Sequence, residues 1–172
     1  MRILLVELPQ GHSRVRRRVP AEPLELQEWF RPRGPLEADL DVERRGEQIT
    51  VRGTVAVQGE ETCARCTRPA RLDLTVELLL VADRRGSDDP ADEAALEQEG
   101  SLLYHDGIEI NLEDPVREAL ILEVPVVILC RPDCRGLCPQ CGQDRNEGGC
   151  SCSGTGEDPR WAALRSLKDE DS

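Results

Sequence analysis

Aromatic residues are almost missing from this 172-residue chain: Trp29, Phe30, Tyr104 and Trp161 are all it has. Nucleic-acid readers that stack bases interleave several aromatics with basic residues, so that class is excluded. Lysine is scarcer still, with Lys168 alone, and 34 acidic residues against 22 Lys+Arg give a formal net charge of −12. A chain of that sign is a poor generic phosphate binder. Long hydrophobic runs are lacking too. The longest uncharged apolar stretch, Val124 to Cys130, falls far short of the roughly 20 residues that a membrane-spanning helix needs. The apolar run before Glu7 is too short for the core of a signal peptide. The expectation is a cytoplasmic protein with no membrane contact, in a compartment that keeps thiols reduced.

Catalytic signals are equally sparse. The two histidines are His12, in a basic run, and His105, beside an acidic one. Neither sits in a Cys or Asp arrangement suited to nucleophilic work. No Gly-rich phosphate-cradling motif occurs. No enzyme and no small-molecule substrate are expected.

What is present is enough for one ordinary domain and a small appendage. The hydrophobic fraction is 38%, or about 46% with glycine counted, inside the globular range. Residues 1–35 read as a basic N-terminal arm followed by the first elements. His12, Arg14, Arg16, Arg17 and Arg18 crowd together there. Such a run is ordinarily solvated, and RNA contact by Arg14, Arg16, Arg17 and Arg18 is the functional alternative.

Residues 36–129 read as an antiparallel β core. Leu36, Ala38, Leu40 and Val42 alternate with Glu37, Asp39, Asp41 and Glu43. Past the turn signal Arg-Arg-Gly-Glu, Ile49, Val51, Val55 and Val57 share a face, and Leu72, Leu74, Val76, Leu78 and Leu80 repeat the pattern. Period two means one wet and one buried face. A short fourth strand is expected at Ile108–Leu112. Between them lies an acidic loop at 83–107, in a stretch from Asp83 to Asp114 that holds eleven acids against two arginines. Asp114-Pro115 reads as an N-cap and first helical residue for a short helix over 115–123, which Pro125 ends. Val126–Leu129, apolar and β-branched, predicts a buried strand. The fold class is α+β: a mainly antiparallel sheet with one or two short helices and a C-terminal Cys-rich knuckle segment, 130–153. Residues 154–172 hold a second short helix over Arg160–Lys168, capped by Asp158-Pro159 and presenting Trp161, Leu164 and Leu167 for docking on its own domain or on a partner.

Eight cysteines stand at 63, 66, 130, 134, 138, 141, 150 and 152. Zinc takes four thiolates in a tetrahedron, and short Cys-x2–4-Cys spacings supply two ligands from one turn. Cys138-Pro-Gln-Cys141-Gly142 is a strong knuckle signal, because the glycine permits the tight turn that aims backbone N–H groups at sulfur. Cys63 and Cys66 fall between the second and third long strands, at a hairpin tip. Cys130 and Cys134 follow the strand expected at Val126–Leu129. If that strand joins the sheet beside the tip, Cys63, Cys66, Cys130 and Cys134 form a first site. Cys138, Cys141, Cys150 and Cys152 form a second, local one, with an unusually tight Cys150-x-Cys152 spacing. Two structural Zn2+ ions are expected. Arg65, Arg68, Arg131 and Arg135 adjoin cysteines and offset the anionic centres locally, or are simply solvated.

Disulfides are disfavoured by compartment and spacing. Thiolate ligation alone does not choose between zinc and an iron–sulfur cluster. Cys134-x3-Cys138-x2-Cys141 matches the spacing of radical enzymes that use S-adenosylmethionine, but those need a large α/β barrel that this chain has no residues to build.

The extended region with Cys63-Ala-Arg-Cys66, the segment DPVREALILEVPVVILC, the run Cys130-x3-Cys134-x-GLCPQCG, Cys150-x-Cys152 and the terminal DPRWAALRSL together resemble the YceD-like family of bacterial large ribosomal RNA subunit accumulation proteins, which has plastid relatives. The resemblance implies a non-enzymatic role in ribosome assembly, needed for normal levels or processing of large-subunit ribosomal RNA. The partners it implies are the ribosomal RNA precursor or ribosome-assembly proteins. Contact could run through protein surfaces, the acidic loop and C-terminal helix, or directly to RNA through the basic run His12–Arg18 and the arginines beside the cysteines. A zinc-binding adaptor or a redox or metal-handling thiol protein, unrelated to ribosomes, is the alternative.

Overall fold

A computed structural model describes residues 1–84 and 102–152. The chain divides into two compact units: unit one, Met1–Glu61 with Arg71–Val126, and unit two, Thr62–Ala70 with Val127–Ser172. The fold is α+β and mainly antiparallel, as the period-two segments imply. Most of the expected acidic loop (85–101) and the expected helix at Arg160–Lys168 lie outside the described residues.

Unit one is built on long strands whose alternation separates a dry face from a wet one. The strands are β1 (Arg2–Leu4), β2 (Gly11–Val19), β3 (Arg31–Pro32), β4 (Leu36–Arg45), β5 (Gln48–Thr62), β6 (Pro69–Arg84), β7 (Leu102–His105) and β8 (Glu109–Asn111), followed by helix α1 (Glu113–Glu123). The main sheet runs β2-β4-β5-β6-β7, with β3 added on β5, and β1 and β8 form a separate pair. Leu36, Ala38, Leu40 and Val42 of β4 and Ile49, Val51, Val55 and Val57 of β5 are all buried, as are Leu72, Leu74, Val76 and Leu78 of β6. Gly53 interrupts the β5 series for a steric reason. It faces Leu40 at φ +145°, and a Cβ there would lie 2.2 Å from the Asp39 carbonyl oxygen. Gly59 makes room for the Phe30 ring, whose Cδ2 would meet an added Cβ at 2.5 Å. Phe30 and Leu26 complete the core beside Ile3, Ile110, Val116 and Leu120.

Five expectations need correction. The basic run is no solvated arm: it forms β2, in antiparallel register with β4 from Gly11↔Arg44 to Val19↔Leu36. The alternation of Arg14, Arg16 and Arg18 answers that of Glu37, Asp39 and Asp41 on the neighbouring strand, so cross-strand attraction holds it. Both ends of the expected acidic loop at 83–107 are strand: Asp83 and Arg84 close β6, and Leu102–His105 form β7, which pairs with β6 in parallel over Val81↔Leu102 to Arg84↔His105. The short strand found within Ile108–Leu112 is β8, and it pairs with β1, not with the main sheet. The helix begins at Glu113 with Leu112 as N-cap; the Asn111 side-chain oxygen accepts from Glu113 N–H at 2.9 Å. Asp114-Pro115 therefore lies inside the first turn, where N–H groups have no helical partner and proline costs little. Finally, Val126–Leu129 is irregular, with Val127 60% exposed.

His105 is buried at 4% exposure. Its Nδ1 accepts from Gly107 N–H at 3.1 Å, which leaves Nε2 to donate to the Glu47 carbonyl oxygen at 2.7 Å. Both ring nitrogens are committed to holding a turn. His12 lies exposed between Asp41 and Glu43, 3.6 and 3.3 Å away.

Candidate metal centres

Unit two holds both cysteine groups. The backbone between β5 and β6 turns so that Thr67 N–H donates to the Cys63 carbonyl (3.0 Å) and Cys63 N–H to the Arg68 carbonyl (2.9 Å). Farther on, Gly142 N–H donates to the Cys138 carbonyl (2.8 Å) and Cys138 N–H to the Gln143 carbonyl (2.8 Å). The two Cys-x2-Cys turns share one hydrogen-bond frame. Each needs a left-handed residue after its second cysteine, and these are Thr67 at φ +60° and Gly142 at φ +75°. Glycine adopts that conformation freely, whereas a β-branched threonine is strained in it.

Each turn meets a second cysteine pair. Cys63, Cys66, Cys130 and Cys134 form one group and Cys138, Cys141, Cys150 and Cys152 the other; within each, the sulfurs lie within 4.8 Å of one another. The structure thus brings together the two quartets expected from the spacing, without the strand that was to deliver Cys130. A single backbone bond does part of that work: Ala64 N–H donates to the Ile128 carbonyl at 2.8 Å. Gly136, at φ +72°, lets the chain pass Arg65, whose carbonyl oxygen would lie 2.9 Å from an added Cβ. Leu137 N–H donates to that same oxygen (3.1 Å), and the Arg65 guanidinium donates to the Cys134 carbonyl (2.8 Å).

In the first group Cys63 and Cys134 sulfurs are 3.8 Å apart and Cys66 and Cys130 sulfurs 3.5 Å. A tetrahedron with 2.3 Å metal–sulfur bonds has an edge of about 3.8 Å, so the donor set fits zinc, whereas a disulfide needs about 2.05 Å. Cys63, Cys66 and Cys134 are buried, and Ala70, Ile128 and Leu129 enclose them. The second group is more open, with Cys138 buried but Cys141 exposed.

The electrostatics suit thiolates. Burial pushes the Cys63 thiol up, but backbone N–H groups of Cys130, Arg65 and Cys66 outweigh it and lower it to about 6. Cys138 is likewise lowered to about 6, by the N–H groups of Cys141 and Gln140. Arg68 holds Cys66 down through its backbone N–H and, after burial has opposed it, through its guanidinium. Burial and neighbouring sulfurs push Cys130 up to about 12; contact with Cys141, then burial, does the same to Cys152. Four close thiols without a cation cannot all ionise; a divalent ion displaces the remaining protons.

Arginines and acids complete the surroundings. Arg68 reaches Asp144 and Glu147, each at 3.1 Å. Arg131 donates to the Asn146 side-chain oxygen at 2.8 Å. Asn146, which spacing rules did not single out, donates its amide to the Cys134 sulfur at 3.5 Å. No cysteine-like periodicity marks such a residue. The expected RNA-contact residues of β2 are each ion-paired: Arg14 and Arg16 with Asp39 (2.7 and 3.2 Å), Arg17 with Glu7 (2.5 Å) and Arg18 with Glu37 (2.6 Å).

Residues 51–168 match the family described as large ribosomal RNA subunit accumulation protein YceD. The chain belongs to the YceD family. The match takes in both cysteine groups and strands β6 to β8. An uncharacterized protein of Mycobacterium tuberculosis is 40% identical over 130 residues, 75% of this chain and 60% of the relative. An uncharacterized protein of Mycobacterium leprae is 32% identical over 110 residues, 63% of this chain and 48% of the relative. A maize protein named large ribosomal RNA subunit accumulation protein YCED homolog 1, chloroplastic, is 24% identical over 149 residues, covering 70% of this chain and 50% of the relative. The chain thus spans 60% or less of the length of these relatives. No solved structure matches it. Among the described residues no helix is long and apolar enough to cross a membrane.

Proposed function

We propose that this YceD-family chain supports the accumulation of large-subunit ribosomal RNA as a non-enzymatic scaffold whose cysteine unit is held by two structural zinc ions. The observation that carries the reading is the pair of tetrathiolate clusters inside the matched region. Four sulfurs per ion fill a tetrahedron, so such a centre holds backbone in place and offers no position for an attacking water. The test is genetic and chemical together. Cells that lack the protein are expected to show a lower ratio of large- to small-subunit ribosomal RNA, restored by the wild-type gene and not by Cys63→Ser. An unchanged ratio on depletion overturns the reading.

Action through a basic protein partner is favoured over a direct grip on RNA. The arginines of β2 face carboxylates on β4 and on the turn at Glu7, so phosphate contact there competes with existing pairs. RNA binding that falls steeply with salt and disappears in Arg16→Ala/Arg17→Ala/Arg18→Ala would reverse that preference. A thiol-exchange or metal-transfer role requires reactive sulfurs. Slow modification of the metal-loaded protein by a thiol reagent, with metal retained, argues against it.

A further inference from the structure

The loop 142–149 connects Cys141 and Cys150, two ligands of the second cysteine group. The side chains of Asp144, Asn146 and Glu147 reach residues of the first group's segments. The amide of Asn146 is saturated: one hydrogen goes to Asp144 Oδ1 (2.6 Å) and the other to the Cys134 sulfur (3.5 Å). Its oxygen accepts from Arg135 N–H and from the Arg131 guanidinium, both at 2.8 Å. Turned over, the amide would set its NH2 against two donors, so the network fixes its orientation. The loop has a second arm. Asp144 and Glu147 each hold the Arg68 guanidinium at 3.1 Å, and Arg68 closes the turn that carries Cys63 and Cys66, its carbonyl accepting from Cys63 N–H at 2.9 Å. The second group's loop thus touches one sulfur of the first group directly and holds the turn that bears two others. Arg145 N–H, bonded to the Gly136 carbonyl at 2.9 Å, ties the same loop to the turn after Cys134.

We propose that Asn146, with Arg68, is a positioning residue that couples the two metal centres: closing the loop with metal on Cys141 and Cys150 sets the hydrogen bonds that retain metal at Cys63, Cys66, Cys130 and Cys134. The proposal rests on the metal-centre reading above. Groups that donate to ligand sulfurs hold ligand geometry, and removing one ordinarily costs on the order of 10- to 100-fold in metal affinity. Opening the second centre should therefore loosen the first, although no ligand is shared.

The experiment measures zinc release from the full zinc-loaded chain to a coloured chelator. In Cys150→Ser/Cys152→Ser only the first centre is filled, and its zinc is expected to leave about tenfold faster than from the wild type, or more. Combined with Asn146→Ala/Arg68→Gln, the same cysteine change should add little, because the coupling is already gone. Release from the first centre at the wild-type rate in Cys150→Ser/Cys152→Ser overturns the proposal. So do effects of the two sets of substitutions that simply multiply. A second readout separates positioning from general loosening. In the cobalt-substituted protein, Asn146→Ala should shift the sulfur-to-cobalt charge-transfer band of the first centre, and Asn146→Asp should not restore it. An unmoved band overturns the amide-to-sulfur contact. A wild-type chain that holds no zinc overturns the metal-centre reading itself, whereas two zinc ions released independently overturn only the coupling.

Discussion

Replacing Cys63 by serine removes one donor from the enclosed quartet, and its consequence follows from how little else holds the described residues of unit two. The buried cluster there consists of Cys63, Cys66, Ala70 and Cys134, with Ile128, Leu129 and Cys130 only partly covered. At roughly 1.5–3 kcal/mol for a fully enclosed aliphatic side chain, that cluster supplies a few kcal/mol. A structural zinc contributes an apparent ~10–16 kcal/mol. Among the described residues of this unit metal binding therefore outweighs apolar burial by a wide margin, and its loss should open the unit locally. Mass spectrometry of the native protein should find two zinc ions in the wild type and one in Cys63→Ser. Amide exchange should quicken at Ala64 and Leu137, whose N–H groups bond to Ile128 and Arg65, while the amides between β4 and β5 stay protected. Two retained zinc ions, or one lost with Ala64 and Leu137 still protected, would refute the reasoning.

Three further outcomes are expected. Thr67→Gly should relieve its left-handed backbone and stabilise the metal-loaded protein by about 0.5–1 kcal/mol in denaturant unfolding. Gly53→Ala should destabilise by about 3 kcal/mol or more, since the new Cβ has only backbone to displace. The hydrogen bond from Arg14 holds the Asp39 carboxyl down at about 2. The pair's contribution is therefore present above the ordinary carboxylate range and is lost as pH falls through about 2. Titration of the Asp39 carboxyl carbon by NMR should show that midpoint, and Arg14→Gln should raise it.

Strands β4, β5 and β6 were legible because one face of each is dry, which writes a two-residue period into the sequence. The cysteine quartets were legible because turn geometry dictates ligand spacing. Pairings between distant segments leave no such mark. Nothing in Ile108–Leu112 tells that β8 joins β1, and Arg14, Arg16 and Arg18 reveal a strand only when laid beside Glu37 and Asp39. Val126–Leu129 misleads for a different reason. A four-residue apolar run carries too little periodicity to separate a strand from a tether, and here the backbone of Ile128 serves as the tether. Asn146 was invisible because its role lies in where its amide points.

The two Cys-x2-Cys turns are interchangeable parts. Both close with bonds from the fifth residue to the first and from the first to the sixth, and neither closure involves a side chain. Residues 138–143 could thus be transplanted onto the hairpin in place of 63–68, except that Arg68 would have to be kept for its grip on the neighbouring loop. What distinguishes one clasp from the other is the company it keeps, so divergence in such chains should gather around the rivets while the clasp itself stays the same.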